Sequence, residues 1–259
     1  MSAARRIRSL GRAELTLLLR NRAALFSAIV LPVTLVGPLA GVSADRGALS
    51  TMAFLLTAML GFVLLAAVYY NLVTAYVARR EELVLKRLRA GELTDAEILA
   101  GVASPAVAVA LAQSLLSVVA GAVFLGLPAP VNAPLLLFGV AGGVVVFVLL
   151  AAASSVFTRT TELAQITTLP ILLGCLFGSG LMVPLEELPD PVASALRALP
   201  LSPVVELMRL GWVGTAGERA PEDFAGAFGP AAVPAAVLVA WMVLGAVAIR
   251  YWFRWEPRR

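Results

Sequence analysis

Six runs of apolar residues, each free of Asp, Glu, Lys and Arg, organise this chain: roughly 24–42, 52–78, 98–127, 132–157, 166–184 and 231–249. A bilayer hydrocarbon core of about 30 Å takes about 20 apolar residues in a helix, and most of these runs are that long or longer. Lipid offers no partner to a backbone amide, so such runs are expected as helices. Short alternating strands of the outer-membrane barrel type are absent from the pattern. The expected class is an all-α integral membrane protein with six transmembrane helices, forming a single domain over 1–259.

Three shorter segments break the pattern. Within 5–22, Ile7, Leu10, Ala13, Leu17 and Leu18 share one helical arc, with Arg5, Arg8, Arg12, Arg20 and Arg22 opposite. That suits an amphipathic helix lying in the membrane interface, or a topology signal alone. Residues 79–97, RREELVLKRLRAGELTDAE, place Leu85, Leu88 and Leu93 among Lys86, Arg87 and Arg89, with a helix start at Thr94-Asp95. This predicts a short amphipathic helix with exposed leucines, able to dock on a partner. Residues 184–212 carry Pro184, Pro189, Pro191, Pro200 and Pro203, with too many apolar residues for a solvated loop and too few for a crossing. Short helices dipping back into the outer leaflet are expected there, with an extracellular hairpin as the alternative.

Charge sets the topology. With the N-terminus inside, the inner segments 1–23, 79–97, 158–165 and 250–259 hold 16 of the 20 Lys and Arg, while acidic residues divide evenly. The cationic excess places both termini in the cytoplasm and the chain in the cytoplasmic membrane. It also accounts for the net charge of +4 without nucleic acid. The Arg-rich start resembles a signal peptide, but Pro32 and Pro38 interrupt the run and it reads as retained. Hydrophobic residues at 60% and a mean hydropathy of +0.92 agree with a membrane protein.

The inventory excludes much chemistry. There is no histidine, one cysteine (Cys175) and one lysine (Lys86). His-based metal sites, Ser-His-Asp triads and HExxH proteases are therefore ruled out. Lys86 follows Leu85 rather than glycine, so the chain has no phosphate-binding loop of the GxxxxGK[ST] kind. The spans lack the intramembrane charge typical of ion-coupled carriers. Energy for transport is thus expected from another polypeptide, and no enzyme activity, metal or cofactor is expected in this chain.

Polar and aromatic groups within the spans mark a candidate substrate path: Tyr69, Tyr70, Asn71 and Thr74 with Tyr76 in the second, and Gln113, Ser114 and Ser117 in the third. An interfacial aromatic belt and interhelical hydrogen bonding are the alternatives. Gly139 and Gly143 form a small-xxx-small pair suited to close helix packing or a dimer seam.

Residues 85–90, Leu-Lys-Arg-Leu-Arg-Ala, with Leu93, resemble the E-R-x-x-G-T-L-K-R-L-R-A-T-P-L segment of type-2 ABC exporter permeases such as the daunorubicin-resistance group. Leu83-Val84 stand in place of the family's Gly-Thr, and Gly91-Glu92 in place of Thr-Pro. Gly180, Pro184, Leu188-Pro189, Leu199-Pro200 and the run from Val205 to Arg209 resemble the family's pattern after the fifth span. Arg20, Arg22 and Pro32 resemble its approach to the first, so the likeness extends along the whole chain.

The resemblance implies a drug or antibiotic exporter subunit. Two permease chains, identical or related, would form the path, and two ATP-binding cassette subunits would carry ATP and Mg. It implies partner coupling through Leu85, Lys86, Arg87, Leu88, Arg89 and Leu93. It implies an outer gate at Pro184, Leu188, Pro189, Pro200, Glu206 and Arg209. A permease for lipid or lipid-linked glycan, or a non-transporting membrane scaffold, are the alternative functions.

Overall fold

The computed structural model describes residues 46–91, 93–124, 126–181, 185, 188–216, 220–253 and 255, with side chains from 52 onward except Phe54. The expected interfacial helix over 5–22, the first span over 24–42, and Pro184 lie outside the described residues. Among the described residues every regular element is helical: α1 (Arg46–Val63), a π-helical segment (Leu64–Tyr70), α2 (Asn71–Glu81), α3 (Val84–Arg89), α4 (Asp95–Phe124), α5 (Ala133–Ser155), α6 (Thr161–Gly178), α7 (Asp190–Arg197), α8 (Ser202–Val213) and α9 (Phe228–Trp252).

Five of these stretches are long and apolar enough to cross a membrane: Leu55–Glu81, α4, α5, α6 and α9. The second expected span is thus one continuous rod, wound more widely over Leu64–Tyr70, where the i→i+5 turns shift the faces of α1 and α2 relative to each other.

Helix ends follow local chemistry. α4 begins with a capping box, in which the Thr94 amide and hydroxyl donate to Glu97 at 2.7 and 2.9 Å while the Glu97 amide donates to the Thr94 hydroxyl. The Asn132 side chain accepts from the Leu135 amide at the start of α5, and Thr160 from the Leu163 amide at the start of α6. α6 starts five residues before the expected 166, because Thr160 caps it and Glu162 suits its first turn. It ends at Gly178 rather than 184, where Ser179 and the left-handed Gly180 (φ 71°) turn the chain.

The rod Leu55–Glu81 and α5 form the centre. In the most apolar stretch of the rod 78% of residues are buried, against 11% in α9, whose Val233, Val243, Leu244 and Tyr251 face outward. An outward apolar surface of this kind is what lipid contact requires. α5 packs on α8, α9, the π segment and α2. Its glycines permit this: a Cβ at Gly143 would lie 2.8 Å from Val204 and 2.9 Å from Leu64, and one at Gly139 would lie 3.2 Å from Leu207 and Met208. The Gly139–Gly143 stripe therefore seats α8 within the chain, which is the close-packing role of small residues.

Candidate functional site

At one end of the bundle the chain gathers the end of α2, α3, the start of α4, the α5–α6 connection and the end of α9. Tyr76 donates its hydroxyl to the Leu99 carbonyl at 3.0 Å and meets Phe253 edge-on at 6.3 Å. Phe253 meets Trp255 edge-on at 4.8 Å, and the Arg89 guanidinium lies 4.9 Å from the Trp255 ring centre. Arg89 also pairs with Asp95 at 3.2 Å. α3 is thereby tied to the end of α9 and to the start of α4.

Within α3 the structure corrects one expectation. Leu85 was expected on an exposed docking face, yet it is fully buried in the bundle. Six residues make less than two turns, so alternation alone does not assign a face, and packing against α2 and α4 decides it. Leu88 and Leu93 are half-buried against the same core, while Lys86, Arg87 and Arg89 are exposed beside Leu83.

Leu83, which stands where the resembling family carries glycine, adopts φ 60°. A non-glycine residue in that region costs roughly 1–2 kcal/mol. Leu83→Gly removes the strain and loses little packing, because the side chain is 40% exposed. Offset by the looser unfolded chain, the net gain is about 0.5 kcal/mol. Thermal unfolding in detergent is expected to rise by about 1–2 °C for Leu83→Gly. Leu83→Ala, which keeps the strain, is expected to give no rise.

Two residues that the sequence reading passed over sit just before α3. Arg80 is buried and donates to the carbonyls of Ser155 (2.8 Å) and Thr158. Glu81 accepts from the amide (3.3 Å) and the hydroxyl of Thr161. The signal for Arg80 lay in helical spacing: it follows Tyr69, Val73 and Tyr76 along one stripe, and all of these are buried.

The candidate path residues separate. Tyr69 is buried, donates to the Ser154 hydroxyl at 3.2 Å and lies 6.3 Å from Phe147. Asn71 and Thr74 bond the carbonyls of Ala67 and Tyr70 on their own rod, and Tyr70 is half-buried. Gln113, Ser114 and Ser117 form a buried polar stripe on α4. Ser117 donates to the Gln113 carbonyl at 2.8 Å, while the Gln113 side-chain oxygen and the Ser114 hydroxyl have no hydrogen-bond partner among the described residues.

At the opposite end, Leu188 and Pro189 precede α7 and the buried Pro200 lies in the turn to α8. Glu206 pairs with Arg197 at 3.7 Å, joining α8 to α7. Arg209 is buried and donates to the Gly180 carbonyl at 2.9 Å, joining α8 to the end of α6. The end of α8 is tied to the start of α5, where the amides of Val131 and Asn132 donate to the carbonyls of Trp212 (3.1 Å) and Gly211 (2.8 Å).

Long apolar helices, a basic helical end and, at the other end, a short helix pair in which α8 is buried and α7 largely exposed define a polytopic membrane protein of the permease kind. A family model described as ABC-2 family transporter protein matches residues 19–253, and the chain belongs to that family. It is therefore a multi-pass membrane subunit of an ABC transporter, a class that works with an ATP-binding cassette partner. A search of curated proteins returns no match.

Proposed function

We propose that this chain forms the translocation path of an ATP-driven exporter for an amphipathic drug, antibiotic or lipid-like cargo. The observation that supports the reading best is the end built around α3. Lys86 and Arg87 stand exposed on a short helix whose other side, through Leu85, is anchored in the bundle. Such a helix presents cations to a partner and passes its displacement inward. In this reading ATP and Mg are held by two copies of a separate ATP-binding subunit, and this chain hydrolyses nothing.

In this reading a first span over 24–42 precedes the five, making six, and both termini face the cytoplasm, in keeping with the cationic end. A second copy, or a related permease, completes the path. α7 and α8 re-enter the outer leaflet: α8, at about 18 Å, is too short to cross and packs on α1, α5 and α9. Leu188, Pro189, Pro200, Glu206 and Arg209 then form the outer gate. Tyr70, Asn71, Thr74, Gln113 and Ser117 offer hydrogen bonds along the path, with Tyr69 shaping it from the core.

One observation favours the lipid or lipid-linked variant of the reading. An open apolar groove of about 330 Å³ lies between the outer ends of α5 and α9, lined by Pro134, Leu135, Phe138, Phe228, Ala231 and Ala235. A groove of that make-up suits an acyl chain rather than a polar solute.

The test is gentle solubilisation of tagged chain from native membranes, with identification of what co-purifies and an ATPase assay. A soluble ATP-binding subunit is expected in stoichiometric amount. Arg87→Glu is expected to weaken its retention by about tenfold or more, reversing a charge on an exposed site without touching the core. A clean preparation without such a subunit would sink the reading in favour of a scaffold.

A further inference from the structure

The connection between α5 and α6, residues 156–160, is held at both ends by two adjacent residues of α2. At its start, the Arg80 guanidinium donates to the Ser155 carbonyl at 2.8 Å, which also accepts the Thr158 amide at 3.3 Å, and to the carbonyl of Thr158, where α5 runs out. At its finish, the Glu81 carboxylate accepts from the amide and hydroxyl of Thr161, the first residue of α6. The signs match the helix dipoles, a cation at the C-terminus of α5 and an anion at the N-terminus of α6. Successive helical residues point about 100° apart, so one turn of α2 reaches two neighbouring helices. The Thr158 and Thr167 hydroxyls, 2.7 Å apart, bind the connection to α6 as well. Two residues beyond Glu81, the left-handed Leu83 turns the chain into α3.

We propose that Arg80 and Glu81 are positioning residues that make α3, the end of α2 and the α5–α6 connection move as one body. A displacement of α3 is then delivered to the fourth and fifth spans together, rather than to the second span alone. The source of that displacement, an ATP-binding partner, rests on the reading above; the mechanical link does not. Capping alone would stabilise the connection without tying its position to α3, and this difference can be measured.

The experiment uses the full chain in lipid nanodiscs with Cys175→Ala. Spin labels are placed through Arg87→Cys on α3 and Arg159→Cys in the connection, both at exposed positions. A single narrow distance distribution is expected. Glu81→Gln, an exposed change, and Arg80→Lys, which keeps the charge, are expected to broaden it about twofold. Glu82→Gln, whose residue pairs only with Arg79 on the surface within the described residues, is expected to leave it unchanged. Equal widths in wild type, Glu81→Gln and Arg80→Lys would overturn the proposal.

With the co-purified ATP-binding subunit, unlabelled Glu81→Gln is expected to hydrolyse ATP normally while transport per ATP falls roughly fivefold to tenfold. Unchanged transport per ATP alongside a broadened distribution would also overturn it, since the link would then carry nothing. Failure to recover an ATP-binding subunit would remove the transport reading only, because the label widths on the isolated chain decide the mechanical link by themselves.

Discussion

Gly211→Ala is expected to destabilise the protein by about 3 kcal/mol, a large share of the 5–15 kcal/mol typical of a folded domain. A Cβ there would lie 2.5 Å from the Leu136 amide nitrogen and 2.8 Å from its Cα. The obstacle is backbone, so no rotamer change relieves it. Nor can α8 retreat from α5, because the Gly211 and Trp212 carbonyls accept from Asn132 and Val131 immediately before α5 begins. Asn132 is itself fixed, accepting from the Leu135 amide and donating to the Phe224 carbonyl. Relief must come from pulling α8 off its glycine-lined seat on α5, which exposes Val204, Leu207 and Met208. Thermal unfolding in detergent, followed by circular dichroism, is expected to fall by roughly 6–12 °C. Gly174→Ala, on α6 with nothing within 4 Å of the added Cβ among the described residues, is expected to leave it unchanged or slightly raised. Equal melting of the two variants would mean that α8 is not docked on α5.

The contrast between these glycines shows what the sequence could and could not convey. Both sit in apolar segments and look alike as letters; only the position of α5 separates them. The last four spans were legible because lipid imposes a length and a composition that a run of residues either has or lacks. The start of α4 was legible because Thr94 signals a helix start, and its capping box with Glu97 sets the boundary. The π segment was not legible, since Leu64–Tyr70 carries no residue that demands a wider turn and packing against α4 and α5 selects it. Leu85 was misjudged because a helix of six residues is too short for its pattern to fix a buried face. Arg79 and Arg80 read equally as cations marking the cytoplasmic side, yet one is a surface partner of Glu82 and the other is buried beneath the α5–α6 connection. The stripe through Tyr69, Val73, Tyr76 and Arg80 contained the distinction, but a charge at the end of a span is so readily explained by topology that its face goes unasked.

Arg80→Met is the second variant with a large expected effect, and it separates structure from transmission. Methionine approximates the length of the side chain and spares the chain a buried charge, which by itself would be neutral or favourable. The acceptors, however, stay behind: the Ser155 and Thr158 carbonyls lose a charged donor in a region from which water is excluded. Hydrogen bonds to a charged group are worth about 1.5–3 kcal/mol each, so the loss is expected to be about 3 kcal/mol after the gain from removing the charge. Thermal unfolding is expected to drop by roughly 6–12 °C. Arg80→Lys keeps the charge but lacks the planar fork that reaches two carbonyls at once, and should lose about half as much. Glu81→Gln removes only a surface contact, and its melting is expected to stay within about 0.5 kcal/mol of wild type. Stability would then rank Arg80→Met well below Arg80→Lys, with Glu81→Gln near wild type. If Arg80→Met melted with wild type, the carbonyls would have found other donors and Arg80 would not hold the end of α5. If Glu81→Gln fell as far as Arg80→Met, its effect on transport could be ascribed to unfolding. Only the predicted order, stability lost at residue 80 and retained at residue 81, leaves a loosened connection as the cause of uncoupling.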